Sequence, residues 1–123
     1  MIPELIGMVH LGPLPGAPAA SPMDVVVADA VRDAQVLADA GFDAVMVENF
    51  GDAPFYADDV PKVTIAAMTR AIGAIVDAVD IPIGVNVLRN DALGALAVAA
   101  ATGASMIRVN VLSGTMYTDQ GTI

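Results

Sequence analysis

Short apolar segments alternate along the chain with longer segments of helical periodicity, a pattern typical of βα units. The apolar segments predict four strands, at residues 5–9, 44–48, 83–88 and 105–111. The longer segments predict three helices, at residues 22–40, at 63–79 and from 90 or 91 to 103. Crossover connections of this length join parallel strands. The pattern therefore predicts an α/β fold built on a parallel sheet.

Capping residues mark two of the helix starts. Ser21 stands at the N-cap position of the first helix, with Pro22 at the first helical position, where proline is favoured. Asn90 or Asp91 stands at the same position before the third helix. A weak internal repeat supports this order: the segments 40–48 and 102–110 share a cap glycine, an apolar strand and a polar tip. After the second copy, residues 112–123 predict a fourth strand-to-helix loop without its helix.

One face of each predicted strand is aliphatic, and the other carries polar residues near the carboxyl end. Because side chains alternate across a strand, the polar face gathers His10, Glu48, Asn86, Arg108 and Asn110. An open doubly wound sheet buries both faces under helices and gives no reason for this asymmetry. A closed barrel does, since its inner face opens into a mouth at the carboxyl ends of the strands. We therefore expect a TIM-type (β/α)-barrel rather than a flavodoxin-like sheet.

The chain is short for such a barrel. A complete TIM barrel has eight units and about 250 residues, whereas this sequence has 123 residues, four strands and three helices. Half a barrel leaves its first and last strands as unpaired edges. We therefore expect residues 1–123 to be the amino-terminal half of a single barrel domain, truncated after strand four. A missing carboxyl-terminal half, or a second copy of the chain, would close the ring.

Composition and charge exclude several classes of protein. The absence of cysteine excludes a disulfide scaffold and a thiolate metal site. The net charge of −9, from 14 acidic and 5 basic residues, disfavours nucleic acid as a partner. The most apolar segments are about ten residues long, shorter than the roughly 20 that a membrane span needs, and the first ten residues lack the basic start of a signal peptide. We expect a cytoplasmic protein with no transmembrane segment.

Three long strings resemble the BtpA/SgcQ family. They are IGMVHLGPLPGAP at residues 6–18, VENFGDAPF at 47–55, and IRVNVLSGT at 107–115 followed by TDQG at 118–121. The likeness covers nearly the whole chain. It implies a TIM-barrel fold and a role in photosystem I biogenesis, for which the family is named, or more broadly in membrane biogenesis. It also implies a protein about twice this length, so the carboxyl-terminal half is the part that this sequence lacks.

Glu48 and His10 are the candidate catalytic residues. Glu48 is one of only two glutamates in the chain and is placed to act as a general base or a metal ligand, while His10 ends the first strand and could act as a general acid or base or as a metal ligand. The structural alternative for Glu48 is an internal ion pair with Arg108, since an unpaired charge inside a barrel would be costly. The alternative for His10 is a structural role in fixing the Gly/Pro-rich loop that follows it.

The candidate substrate-binding residues are polar groups near the strand ends: Asn86, Arg108, Asn110, Asn49 and Asp119. Asparagine amides offer neutral donors and acceptors for sugar hydroxyls or a carbonyl, and Asp119 could complete a carboxylate set with Glu48. No GxGxxG or Walker motif occurs. The pattern identifies no metal site, and the cofactor stays unknown.

Two functions remain open at this point. The first is an enzyme of the isomerase, aldolase or lyase type that acts, in full-length form, on a small polyhydroxylated or phosphorylated metabolite, and that is inactive as this fragment alone. The second, which the family name implies, is a non-catalytic assembly factor for a membrane complex such as photosystem I. The enzyme hypothesis rests on the polar groups that converge at the carboxyl-terminal opening of the barrel, because barrel architecture alone does not establish an activity.

Overall fold

The computed structural model of the chain describes residues 3–111, together with the backbone of residues 117–118 and 121–122. Its strands are β1 (Ile6–His10), β2 (Ala44–Glu48), β3 (Ile83–Asn86) and β4 (Met106–Ile107), and its helices are α1 (Met23–Asp39), α2 (Lys62–Ala78) and α3 (Ala92–Thr102). A 3-10 turn at Phe50–Asp52 follows β2, and two short strands, β5 (Tyr117–Thr118) and β6 (Gly121–Thr122), pair antiparallel. The predicted four parallel strands and three helices are confirmed.

The four strands form one parallel sheet in the order β1-β2-β3-β4. Because each strand lies beside its predecessor and right-handed crossovers are nearly universal, successive connections place their helices on the same side of the sheet. A doubly wound sheet reverses its strand order and carries helices on both sides. The observed order is therefore that of a partial TIM-type barrel. The sheet is not closed, and β1 and β4 are its edges.

The hydrophobic core lies between the sheet and the three helices. The strands contribute one row of side chains that are almost completely buried: Val9, Val45, Val47 and Val85. The helices contribute Ala30 and Ala34 from α1, Met68, Ile72 and Ile75 from α2, and Val98 from α3. Burying one such aliphatic side chain contributes about 1.5–3 kcal/mol. This layer therefore fixes the spacing of the strand ends.

The opposite face of the sheet is open at its edges. On β1, Ile6 is 40% and Met8 38% exposed, whereas Met46 at the centre of the face is 6% exposed. Gly84 lies directly beside Met46, and a Cβ at Gly84 would come within 2.7 Å of the Met46 methyl group. The methionine thus fills the space that the glycine leaves. This is the face on which the polar strand-end residues were predicted.

The observed strand boundaries differ from the predicted ones by a few residues. β1 extends to His10, so that this residue belongs to the strand, and β3 ends at Asn86. β4 has two residues instead of the predicted seven. The strand is short because side chains replace the backbone as hydrogen-bond partners. Arg108 N–H still donates to Val85 O, but Arg108 O accepts from the Asn86 side chain and Val111 O accepts from the Asn90 side chain.

The prediction that Ser21 caps α1 is wrong. The helix begins at Met23 after Pro22, and no side chain caps it. The Ser21 N–H instead donates to Pro13 O at 2.9 Å, which ties the residue into the loop after β1. A short polar residue before a proline is equally suited to a loop bond and to a cap, and here the loop bond prevails.

Of the two residues predicted to cap α3, the cap is Asp91. Its Oδ1 accepts from Gly94 N–H at 2.7 Å, and its Oδ2 accepts from Val60 N–H at 3.0 Å, so one carboxylate joins the start of α3 to the loop before α2. Asn90 has a different role. Its amide donates to Val111 O at 3.0 Å and accepts from Val111 N–H at 2.8 Å, which holds the chain after β4 against the end of β3.

Candidate functional site

The pairing register aligns the polar strand ends in one row. His10 pairs with Glu48 across β1 and β2, and Glu48 pairs with Asn86 across β2 and β3. Directly after β4 the row continues at Arg108, whose N–H donates to Val85 O. We call these four residues, with Asn110, the rim. The alternation predicted from sequence therefore brings five of the seven candidate site residues together on the open face of the sheet.

Glu48 is the centre of the rim. It is only 6% exposed, and its two carboxylate oxygens have different partners. Oε1 lies 3.1 Å from His10 Nε2, and Oε2 lies 3.4 Å from Arg108 Nη1. A buried carboxylate is costly unless it is paired, and here the pairs form with side chains that are about half exposed. The ion pair predicted between Glu48 and Arg108 is present, and His10 is an additional partner.

The contact with Glu48 sets the chemistry of His10. A lone pair on Nε2 would be repelled by the carboxylate oxygen 3.1 Å away, so in the neutral imidazole the contact favours a proton on Nε2 and a lone pair on Nδ1. Within residues 3–111, Nδ1 has no hydrogen-bond partner. Phe50 stacks on the ring at a centroid distance of 4.4 Å and an angle of 15°, which fixes its plane. The His10 ring is thus held between the Glu48 carboxylate at Nε2 and the Phe50 ring on its face.

Asn86 contributes a buried acceptor that has no donor. It is 1% exposed, and its Nδ2 donates to Arg108 O at 3.0 Å and to Asn110 Oδ1 at 3.1 Å. Because a backbone carbonyl can only accept, these bonds fix which end of the amide is nitrogen. The Oδ1 is buried and unpartnered in the described part of the chain. Such an orphan costs about 1–3 kcal/mol, and the rim carries this cost at Asn86.

Of the remaining two candidates, the structure describes only Asn49, and it lies away from the rim. Asn49 is 1% exposed, its Oδ1 accepts from Leu88 N–H at 2.6 Å, and its Nδ2 donates to Leu88 O at 3.3 Å. It lies on the opposite side of the chain from Glu48 and joins the ends of β2 and β3, so it is not brought to the rim. Asp119 lies outside the described residues.

Sequence reasoning missed Asp52. Its Oδ1 accepts from Leu14 N–H at 2.8 Å, which joins the loops after β1 and β2. Burial raises the pKa of the Asp52 carboxyl, and the hydrogen bonds from the Leu14 backbone and the Asn49 side chain only partly offset this rise. An aspartate in a Gly/Pro-rich loop is usually solvated, and no pattern in the sequence marks this one as half-buried.

Two further features bear on the class of site. Among residues 3–111, no group of three or more His, Asp or Glu side chains is arranged to hold a metal ion. None of the three helices of the sheet layer combines the length and the apolar character needed to cross a membrane, as judged over the described residues.

Comparison with known proteins identifies the family. The model of the BtpA family matches residues 2–123. An uncharacterized protein of Thermococcus kodakarensis is 57% identical over 122 residues, which are 97% of this chain and 46% of the relative. The photosystem I biogenesis protein BtpA of Synechocystis sp. is 48% identical over 120 residues, 97% of this chain and 42% of that protein.

A more distant relative is the putative sgc region protein SgcQ of Escherichia coli, 39% identical over 120 residues, which are 95% of this chain and 44% of that protein. No solved structure matches the chain significantly. The chain spans less than half the length of these relatives. The match over nearly all of its residues shows that the chain belongs to the BtpA family.

Proposed function

We propose that the full-length protein is an enzyme that performs acid–base chemistry at the rim on a small polyhydroxylated or phosphorylated metabolite. The observation that carries this proposal is the buried Glu48 carboxylate, 3.1 Å from the imidazole of a half-exposed His10. A histidine oriented by a carboxylate is a common arrangement for proton transfer. The open face of the sheet leaves this pair accessible from the barrel side.

The proton moves between substrate and His10. Nδ1 of the neutral imidazole takes a proton from a carbon or hydroxyl of the substrate, and the resulting imidazolium is stabilised by Glu48 behind it. Return of the proton to a neighbouring atom gives an isomerase, and loss of a leaving group or cleavage of a carbon–carbon bond gives a lyase or an aldolase. Glu48 is the positioning residue in this scheme, since its oxygens are occupied by His10 and Arg108.

Two of the other rim residues bind the substrate, and Asn86 positions one of them. The Asn86 amide is buried and donates to Asn110 Oδ1, so it holds Asn110 in place. Arg108 is 57% exposed, so its guanidinium reaches solvent and can pair with a phosphate or a developing oxyanion while it keeps one contact to Glu48. Asn110, held by Asn86, supplies a further exposed amide. A polyhydroxylated substrate with an anionic group satisfies both Arg108 and Asn110.

One relative's name favours a second candidate function. A protein 48% identical to this chain is named for photosystem I biogenesis, so an assembly factor for a membrane complex is the alternative. In that case the rim would bind a partner or be purely structural. An assembly factor requires the shape of the rim but does not require proton transfer by His10.

Proton exchange distinguishes the two functions. The full-length protein is incubated in D₂O with a panel of aldose and ketose phosphates, and loss of carbon-bound proton signals is followed by NMR. We expect exchange with at least one substrate, reduced about 100-fold or more in Glu48→Gln and His10→Gln. The matched control is Glu4→Gln, which alters the chain's other, exposed glutamate. If no substrate exchanges and both rim variants retain the protein's cellular role, the assembly-factor alternative replaces the enzyme.

A further inference from the structure

A cavity of about 340 Å³ lies behind the rim, on the helix side of the strand ends. Its walls come from the loop after β1 at Ala17, the loop after β2 at Asp52, Phe55 and Tyr56, and the first turn of α2 at Thr64. The volume falls in the range of about 300–1,000 Å³ that is usual for small-ligand pockets. The walls are mostly apolar, with a few polar groups among them, which is the usual composition of such pockets.

The cavity is separate from the rim. None of the five rim residues lines it. The chain divides the two at Asn49 and Phe50: Asn49 lines the cavity, whereas Phe50 stacks on His10. The next residue in the chain is Gly51, whose N–H donates to Leu11 O. A Cβ at Gly51 would come within 2.6 Å of that oxygen. The loops after β1 and β2 are thus in backbone contact at this point.

Thr64 points to a ligand in the cavity. It is only 6% exposed, yet within residues 3–111 its hydroxyl makes no hydrogen bond. The other helical threonines behave differently: Thr69 and Thr102 each donate to the carbonyl four residues earlier, at 2.8 Å. Thr64 stands in the first turn of α2, where no helical carbonyl lies four residues before it. Its hydroxyl is left free, and the residue lines the cavity.

The charges of the lining define the kind of ligand. Asp52 is the only charged residue among those that line the cavity in the described part of the chain, and its carboxylate already accepts from Leu14 N–H and from the Asn49 side chain. The Arg89 guanidinium lies 5.8 Å from the centre of the Phe55 ring, but Arg89 does not line the cavity. Inside the cavity the Asp52 carboxyl therefore sets the charge. It disfavours anions and accepts hydrogen bonds from donors. Phe55 and Tyr56 offer aromatic surface on which an apolar ring packs.

We propose that this cavity is a second ligand site, which takes a small molecule with an apolar ring and a hydroxyl or amino donor. The ring packs against Phe55 and Tyr56. The donor bonds to Asp52, and the Thr64 hydroxyl completes the polar end of the site. The proposal is independent of the chemistry assigned to the rim, because it uses none of the same residues.

The test uses the full-length protein and three probes of nearly equal size: benzyl alcohol, benzylamine and benzoate. Binding is followed by NMR titration. We expect the alcohol and the amine to bind and benzoate to bind at least about tenfold more weakly, because it brings a second negative charge to Asp52. The Thr64→Val variant, which replaces the hydroxyl with a methyl group, should weaken benzyl alcohol about fivefold to tenfold.

A steric pair of variants locates the site. Ala17→Leu fills the cavity and should abolish binding, whereas Ala20→Leu places the same side chain at a nearby exposed position outside the lining and should leave binding unchanged. Should Ala17→Leu fail to fold, Thr64→Val decides the question alone. The proposal is overturned if none of the probes binds up to its solubility, if benzoate binds as well as the alcohol, or if the folded variants bind as the unaltered protein does.

Discussion

Glu48 Oε1 lies 3.1 Å from His10 Nε2, and the carboxylate is buried while the imidazole is about half exposed. The two residues are directly paired in neighbouring parallel strands, so the contact is fixed by the register of the sheet and not by a loop. A site built on strands is held more rigidly than one built on loops. This contact is the basis of the function proposed for the rim, and it can be tested in several ways.

The contact between Glu48 and Arg108 should be weakly stabilising. The atoms are 3.4 Å apart and the guanidinium is 57% exposed, so solvent screens the attraction. In a double-mutant cycle of Glu48→Gln and Arg108→Gln, we expect a coupling energy of about 0.5–1 kcal/mol that decreases in high salt. Urea unfolding of the four proteins measures it. A coupling above about 2 kcal/mol that salt does not change would show that the pair is a desolvated structural bridge.

Asn49 should matter for stability more than for binding at the rim. Its amide is buried and bonds to both backbone groups of Leu88. Asn49→Ala leaves these two groups without partners, so we expect a loss of about 2–4 kcal/mol in the free energy of unfolding. Asn110→Ala, at an exposed position, is the control and should cost about 0.5 kcal/mol or less. Equal losses in the two variants would contradict the role assigned to Asn49.

Asp52 should make stability depend on pH in the direction opposite to that of most carboxylates. Burial raises its pKa in the folded state, so the folded protein binds the proton more tightly than the unfolded chain does. The contribution of protonated Asp52 to the free energy of unfolding is then fully present below the pKa that Asp52 has in the unfolded chain. It is lost as pH rises through the pKa that Asp52 has in the folded protein. We expect Asp52→Asn, which still accepts from Leu14 N–H, to gain stability relative to the unaltered protein as pH rises from about 3 to about 6. A difference that does not change with pH would contradict this account.

Two glycines should respond oppositely to the same substitution. A Cβ at Gly51 would lie 2.6–2.8 Å from backbone atoms of Leu11, Gly12 and Pro13, which cannot move aside as a flexible side chain can. We expect Gly51→Ala to destabilise the protein by about 1–3 kcal/mol. At Gly73, inside α2, a Cβ would meet no atom outside its own helix within 4 Å, so Gly73→Ala should stabilise by about 0.5–1 kcal/mol. Thermal unfolding of both variants gives the comparison.

The rim could be predicted from sequence because it depends only on two regular features. Side chains alternate along each strand, and the carboxyl ends of parallel strands meet at one edge. These features place His10, Glu48 and Asn86 together before any loop is known. They also indicate that Arg108 shares a face with Glu48, two strands away, and the structure confirms the contact.

The contacts of the loops could not be predicted in this way. Asn49 and Asn90 each use both ends of an amide to bond one distant residue, Leu88 and Val111, at sequence separations of 39 and 21. Nothing in the local pattern distinguishes such an asparagine from one that caps a helix or contacts a substrate. The burial of Asp52 likewise depends on where the loop after β1 comes to lie. Tertiary packing decides these roles, and a single sequence does not show it.

The tautomer of His10 tests the central claim most directly. At a pH where the His10 imidazole is neutral, a ¹H–¹⁵N spectrum identifies which ring nitrogen carries the proton. The signals that disappear in His10→Gln are those of His10 in the full-length chain. We predict the proton on Nε2, donated to Glu48, with Nδ1 unprotonated, and a loss of this preference in Glu48→Gln. A proton on Nδ1, or a tautomer that Glu48→Gln leaves unchanged, would contradict the proposal that Glu48 orients His10 as the proton acceptor.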